Sequence, residues 1–168
     1  MSEFIEYAPR YFDFLVERFG FWPTALSPSH VRYENDLLYF DITTHWRDGT
    51  EITFGRIGHP GNLQGQKDER LSLGIVFGAI ETSLGTYKKW ARTPEQDLAA
   101  LSAGLIQYAD ALITADPELY RRLHALRFWH VGEYVRLWGK SIVMSPEEIA
   151  QNRQLVPNIV RLICPNDG

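Results

Sequence analysis

The chain has 168 residues, a formal charge of −4, 45% hydrophobic and 23% charged residues. This is the composition of a folded globular protein, long enough to build a proper core, and the expectation is a single domain over residues 1–168. The mild acidity argues against a general nucleic-acid binder, which needs a basic surface.

Cys164 is the one cysteine. It cannot form an intramolecular disulfide, so a reducing cytoplasm is the expected compartment. The first residues carry Glu3 and Glu6 and no apolar run of signal length. No apolar stretch approaches the roughly 20 residues of a membrane span, so no membrane association is expected.

Phe12, Leu15, Val16 and Phe19 recur at helical spacing and predict an N-terminal helix. Pro9 falls either in its first turn or between a short preceding turn and the helix proper. Gly20 is a natural C-cap, with Phe21 folding back behind it. Residues 22 to 29, which hold Pro23 and Pro28, read as a connector.

The segment from His30 to Gly58 predicts three antiparallel strands. Asn35-Asp36 suits a two-residue hairpin turn, which pairs Tyr33 with Leu38 and Val31 with Phe40. Side chains alternate along a strand, so Val31, Tyr33, Leu38, Phe40 and Ile42 share one face. Arg32, Glu34, Tyr39, Asp41 and His45 share the other. For the second turn, a three-residue loop Arg47-Asp48-Gly49 keeps Ile52 and Phe54 on the apolar face. It pairs Ile42 with Phe54 and Thr44 with Ile52, sets Glu51 beside His45, and makes Gly49 left-handed in a bulge.

Residues 59 to 70, with Pro60, Gly61, Asn62 and Gly65, read as a solvated loop. Residues 71 to 83 fit either a buried strand or a helix capped by Ser72; the length of the apolar run selects the helix. Gly74 and Gly78 would then allow close packing on the sheet. Three later helices begin with one device: Thr93-Pro94-Glu95, Asp116-Pro117-Glu118 and Ser145-Pro146-Glu147 each offer an N-cap, a proline at N1 and an acid in the first turn. The first should run to about Ile113 with Leu98, Leu101, Leu105, Tyr108 and Leu112 inward, and Thr93 with Gln96 forms a capping box. The second carries Leu119, Leu123 and Leu126, and the third is interrupted at Pro157.

Strands in one run and helices in the next predict an α+β fold: an N-terminal helix, a three-stranded meander, and a mainly helical C-terminal half packed on one sheet face. The face with Tyr39, Asp41, His45 and Glu51 should be the wetter one.

The five histidines form no H-E-x-x-H and no i, i+4 pair, so no metal is expected. His30 is expected near Asp41 across the first hairpin, as a modest surface pair. There is no G-x-S-x-G elbow, P-loop or dinucleotide fingerprint, so no catalytic residue and no cofactor is assigned. Asp41, His45 and Glu51 on one face leave an acid–base site open as an alternative. Phe128-Trp129-His130 with Trp138 cannot all face inward on one helix, and exposed Trp marks an interface.

The order Phe14-Leu15, Phe19-Gly20-Phe21, Val31-Arg32-Tyr33-Glu34, Tyr39-Phe40-Asp41-Ile42 and Glu51-Ile52-Thr53-Phe54 resembles small bacterial cytosolic proteins of the immunity type, from polymorphic toxin systems. The resemblance covers roughly the first 60 residues. Its motifs are structural, so it carries over no binding residue. It implies a non-enzymatic protein that binds a cognate toxin. The expected partner-binding residues, read from the faces and the aromatic cluster, are Tyr39, Asp41, His45, Glu51 and Trp129. The alternatives are a small hydrolase or transferase using the polar sheet face, and a small-molecule-binding regulatory domain.

Overall fold

The computed structural model describes residues 3–45, 49–57, 70–84 and 93–125, with residues 147, 159 and 161. The chain forms two compact units, one of residues 1–74 and 89–115, the other of 75–88 and 116–168. The expectations for the 59–69 loop, Leu126, Trp129, Trp138, Pro157 and Cys164 fall outside the described residues.

The first unit is α+β. Helix α1 (Glu3–Phe19) leads into a five-stranded antiparallel sheet, β1 (Trp22–Ser27), β2 (His30–Glu34), β3 (Leu38–His45), β4 (Gly49–Arg56) and β5 (Leu71–Ser72), in that spatial order. Helix α2 (Leu73–Leu84) follows β5, and α3 (Pro94–Ile113) returns to the first unit. None of the helices among the described residues is long and apolar enough to cross a membrane.

The sheet has five strands and not the expected three. The segment read as a connector is β1, an edge strand paired with β2 through Trp22 opposite Glu34 and Thr24 opposite Arg32. An edge strand bonds on one side only, so Pro23 can turn its missing N–H outward. The second addition, β5, is two residues long, too short to show periodicity.

Both hairpins keep the expected faces and change the expected partners. Tyr33 pairs with Phe40 and Val31 with Ile42; Phe40 pairs with Phe54 and Ile42 with Ile52. Each register differs from the expected one by two residues. A shift of two preserves side-chain faces, because the strand period is two. At the first turn, Asn35 is not a left-handed turn residue. Its Oδ1 accepts from the backbone N–H groups of Leu37 and Leu38 at 2.9 and 2.8 Å, and its own N–H bonds to the Leu38 carbonyl. The side chain thus acts as a local acceptor in an Asx arrangement, and the loop lengthens by two residues. At the second turn Gly49 has φ +82°, left-handed as expected, and pairs with His45. The register is favoured by the rings of Phe40 and Phe54, stacked at 5.6 Å with 14° between planes.

Helix α1 is continuous through Pro9, which supplies no N–H to the Ile5 carbonyl. Its buried stripe is Phe4, Ala8, Phe12 and Leu15, whereas Val16, expected inward, is 37% exposed. Phe12 and Leu15 are buried as expected, Phe19 is half-buried, and Phe12 meets Tyr33 at 6.0 Å. The helix ends at Gly20, φ +68°, whose N–H bonds to the Val16 carbonyl while Phe21 N–H reaches Leu15. Phe21 then turns into the core against Phe40 at 5.6 Å.

Helix α3 matches expectation closely. Thr93 caps it, with the reciprocal Thr93–Gln96 bonds of a capping box and Pro94 at the first position. Leu98, Leu101, Leu105, Tyr108 and Leu112 are buried. It packs on β4 and on α1. Tyr11 Oη bonds to Glu95, Ser102 Oγ to the Tyr11 carbonyl, and Arg18 pairs with Asp110, so the two helices run side by side in the same direction. At α2 the helix reading holds, with Ser72 just before it; Gly74 is exposed, and a side chain there would make an ordinary contact with Ser72 Oγ of β5 at 3.8 Å.

In the second unit, α4 (Pro117–Ala125) starts at the expected Asp116-Pro117-Glu118 signal. Asp116 Oδ1 accepts from the Glu118 N–H at 3.2 Å. Leu119, Tyr120 and Leu123 are buried. Hydrogen bonds from Arg121 and Arg122 push the Glu118 carboxyl down to about 2.

Two termini give a matched pair of predictions. Gly20→Ala places a side chain at φ +68° and is expected to cost about 1 kcal/mol, although open space surrounds the site. Ala115, just past α3, already has φ 53°, so Ala115→Gly is expected to add about 1 kcal/mol. Chemical denaturation with an unchanged m-value would check both.

A third prediction concerns Tyr33. Its hydroxyl is buried with no hydrogen-bond partner among the described residues. Burial, helped by the charge of Asp13, pushes its ionisation up to about 12. Tyr33→Phe removes a desolvated hydroxyl and is expected to stabilise the unit by about 1 kcal/mol. Because the native value is the raised one, wild-type stability is retained below about pH 10 and declines as pH rises toward about 12. The phenylalanine variant should lose this component of the alkaline decline in a pH series of melts.

Candidate functional site

The polar face of the sheet organises around Asp41. Arg32 sits directly opposite it on β2, and His30 lies one diagonal away, opposite Thr43. Arg32 Nε donates to Asp41 Oδ1 at 2.8 Å and Nη2 donates to Oδ2 at 2.6 Å, a bidentate fork. His30 Nε2 lies 2.9 Å from Oδ1. An ionised carboxylate only accepts, so His30 carries its proton on Nε2. The Arg32 guanidinium also stacks 4.7 Å from the Tyr39 ring centroid.

Asp41 is 4% exposed and Tyr39 is 5% exposed, so these two are not on the wet surface expected of them. Arg32 covers both from above, an arrangement the expected register hid by placing Arg32 opposite Tyr39. Burial by itself would raise the Asp41 carboxyl. Hydrogen bonds from Arg32 and then His30, with both nearby charges, outweigh it and hold the group below its ordinary value. The same fork raises Arg32. Asp41 is therefore a poor proton acceptor at neutral pH, and its role is to fix Arg32 and His30 in place.

The other expected residues lie elsewhere. His45 pairs with Gly49 and Glu51 with Thr43, so the two are diagonal, not opposed, and both are exposed at the far end of the β3–β4 hairpin. Trp129 is outside the described residues. Among the described residues no group of three or more His, Cys, Asp or Glu is placed to hold a metal ion.

One residue the sequence reading left off this face belongs to it, Trp22, which pairs with Glu34 across β1 and β2. Trp22 is 45% exposed and its Nε1 donates to Glu34 Oε1 at 3.2 Å. Glu34 Oε2 lies 4.0 Å from Arg32 Nη1. Trp22 was missed because two nearby prolines disguised β1. The sequence carries no alternation that would have revealed it, because every residue of β1 is exposed. A bulge between Ala25 and Ser27 ends this regular pairing, just before His30.

The arrangement is an α+β scaffold on which Asp41 is held by Arg32 and His30, with Glu34 at the margin beside an exposed indole. Compared with known protein families, curated proteins and solved structures, the chain matches none.

Proposed function

We propose that this chain is a non-enzymatic protein-binding module, and that its partner is a bacterial toxin which it neutralises in the cytoplasm. The observation that supports binding over catalysis is the state of Asp41. The most buried acid of the polar face is clamped by a bidentate arginine and held low. A general base needs the opposite, a value near the working pH and an open path to substrate. What the face offers to solvent is Trp22, Arg32, Glu34 and His30, held in place by mutual contacts. A rigid surface of Trp and Arg is the composition of an interaction hot spot. The toxin reading rests on the resemblance of the first 60 residues to immunity proteins.

Co-expression with a toxin-like protein encoded beside this chain should protect the host cell and yield a stable complex. A neighbouring frame with no toxin-like product, or a toxin that kills equally with and without this chain, would remove the immunity reading.

A further inference from the structure

Resting on the protein-binding reading, we propose that Trp22 and Glu34 form a receptor for a cationic side chain, an arginine or lysine, of the partner protein. Of the two carboxylates beside Arg32, Glu34 is the less compensated. Asp41 takes the Arg32 charge through two short hydrogen bonds, 2.6 and 2.8 Å. Glu34 has no such partner. One of its oxygens accepts from the neutral Trp22 indole at 3.2 Å, and the other stands 4.0 Å from Arg32, beyond hydrogen-bond reach. The strip thus presents a negative charge at the edge of an indole ring that is 45% exposed.

A cation seated on that ring meets the π-face and the carboxylate together. The hydrogen bond from Trp22 Nε1 fixes ring and acid relative to each other, so little ordering remains for binding. Arginine suits the site best, since its planar group can stack on indole while donating to a carboxylate. An anionic partner group would meet Glu34 first, and the guanidinium it would seek is already forked onto Asp41. The formal charge of −4 draws the same kind of partner from a distance.

The test titrates the full-length ¹⁵N-labelled protein with a hexa-arginine peptide, with hexa-glutamate as control. The Trp22 indole N–H resonance is identified from its loss in Trp22→Phe. The arginine peptide should shift that resonance. Glu34→Gln should weaken binding about tenfold, while Glu17→Gln, the same charge change at an exposed position of α1, should alter it by less than about twofold. Equal weakening by the two variants, or an unmoved Trp22 resonance, would overturn the proposal by reducing the binding to bulk charge. The two readings separate in a complex with the neighbouring toxin: tight binding indifferent to Glu34→Gln defeats this site and spares the module. Peptide binding at Trp22 with no toxin complex defeats the immunity reading and spares the site.

Discussion

Phe40→Ala should be the most damaging single truncation in the sheet, costing about 4 kcal/mol. Phe40 is fully buried on the central strand β3, between Phe21 and Phe54, each with its ring centre 5.6 Å away. Three segments of the first unit meet at this ring: the residue after the α1 cap, the middle strand and its neighbour β4. Its burial alone is worth about 2–3 kcal/mol of transfer free energy, and the cavity left among rigid aromatic neighbours adds the rest. Leu37→Ala is the control. That side chain is 56% exposed at the β2–β3 turn, and its loss should stay within about 0.5 kcal/mol. Denaturant unfolding of both variants measures the contrast. Similar values for the two would mean that the apolar face is wrongly assigned.

Arg32→Ala should cost about 2 kcal/mol at pH 7 and carry a pH signature that no packing loss imitates. The variant strands a buried carboxylate, an expensive state; the figure is set below that of a dry ion pair because the guanidinium is 31% exposed. In the wild type the Asp41 carboxyl is held low, so its contribution is present above the unfolded value near pH 4. It is lost as pH falls from there through the lower native value. In the variant, burial faces only His30, and the native value moves up. A raised carboxyl contributes in the opposite sense: stability is highest at low pH and is lost as pH rises through the native value. The gap between wild type and variant should therefore narrow between pH 7 and about pH 4. Arg32→Lys, which keeps the charge and loses the fork and the stacking, should fall between them. A gap that stays constant with pH would show that Asp41 does not depend on Arg32.

The site and the fold were legible to different degrees. Alternation placed Arg32, Asp41 and Tyr39 on one face, and that placement survives because a two-residue slip cannot move a side chain across the sheet. Their contacts were not legible. Whether Arg32 faces Tyr39 or Asp41 turns on how Asn35 spends its side chain, and a two-residue turn and an Asx-supported loop suit the same letters. His30 reaches Asp41 as foreseen, but by a diagonal and with the carboxylate buried. Trp22 stayed hidden because proline argues against strands in general and only weakly against an edge.

The sequence by itself determined the local structure: where α3 and α4 begin, that Gly20 and Gly49 turn left-handed, which residues of β2, β3 and β4 face the core. Those choices depend on neighbours a few positions away, through caps, φ preferences and periodicity. Only the tertiary structure decided the registers, the two added strands, and the burial of Asp41 beneath Arg32. Each of these depends on which ring stacks on which and on what lies over a face, and side chains distant in the chain supply those energies.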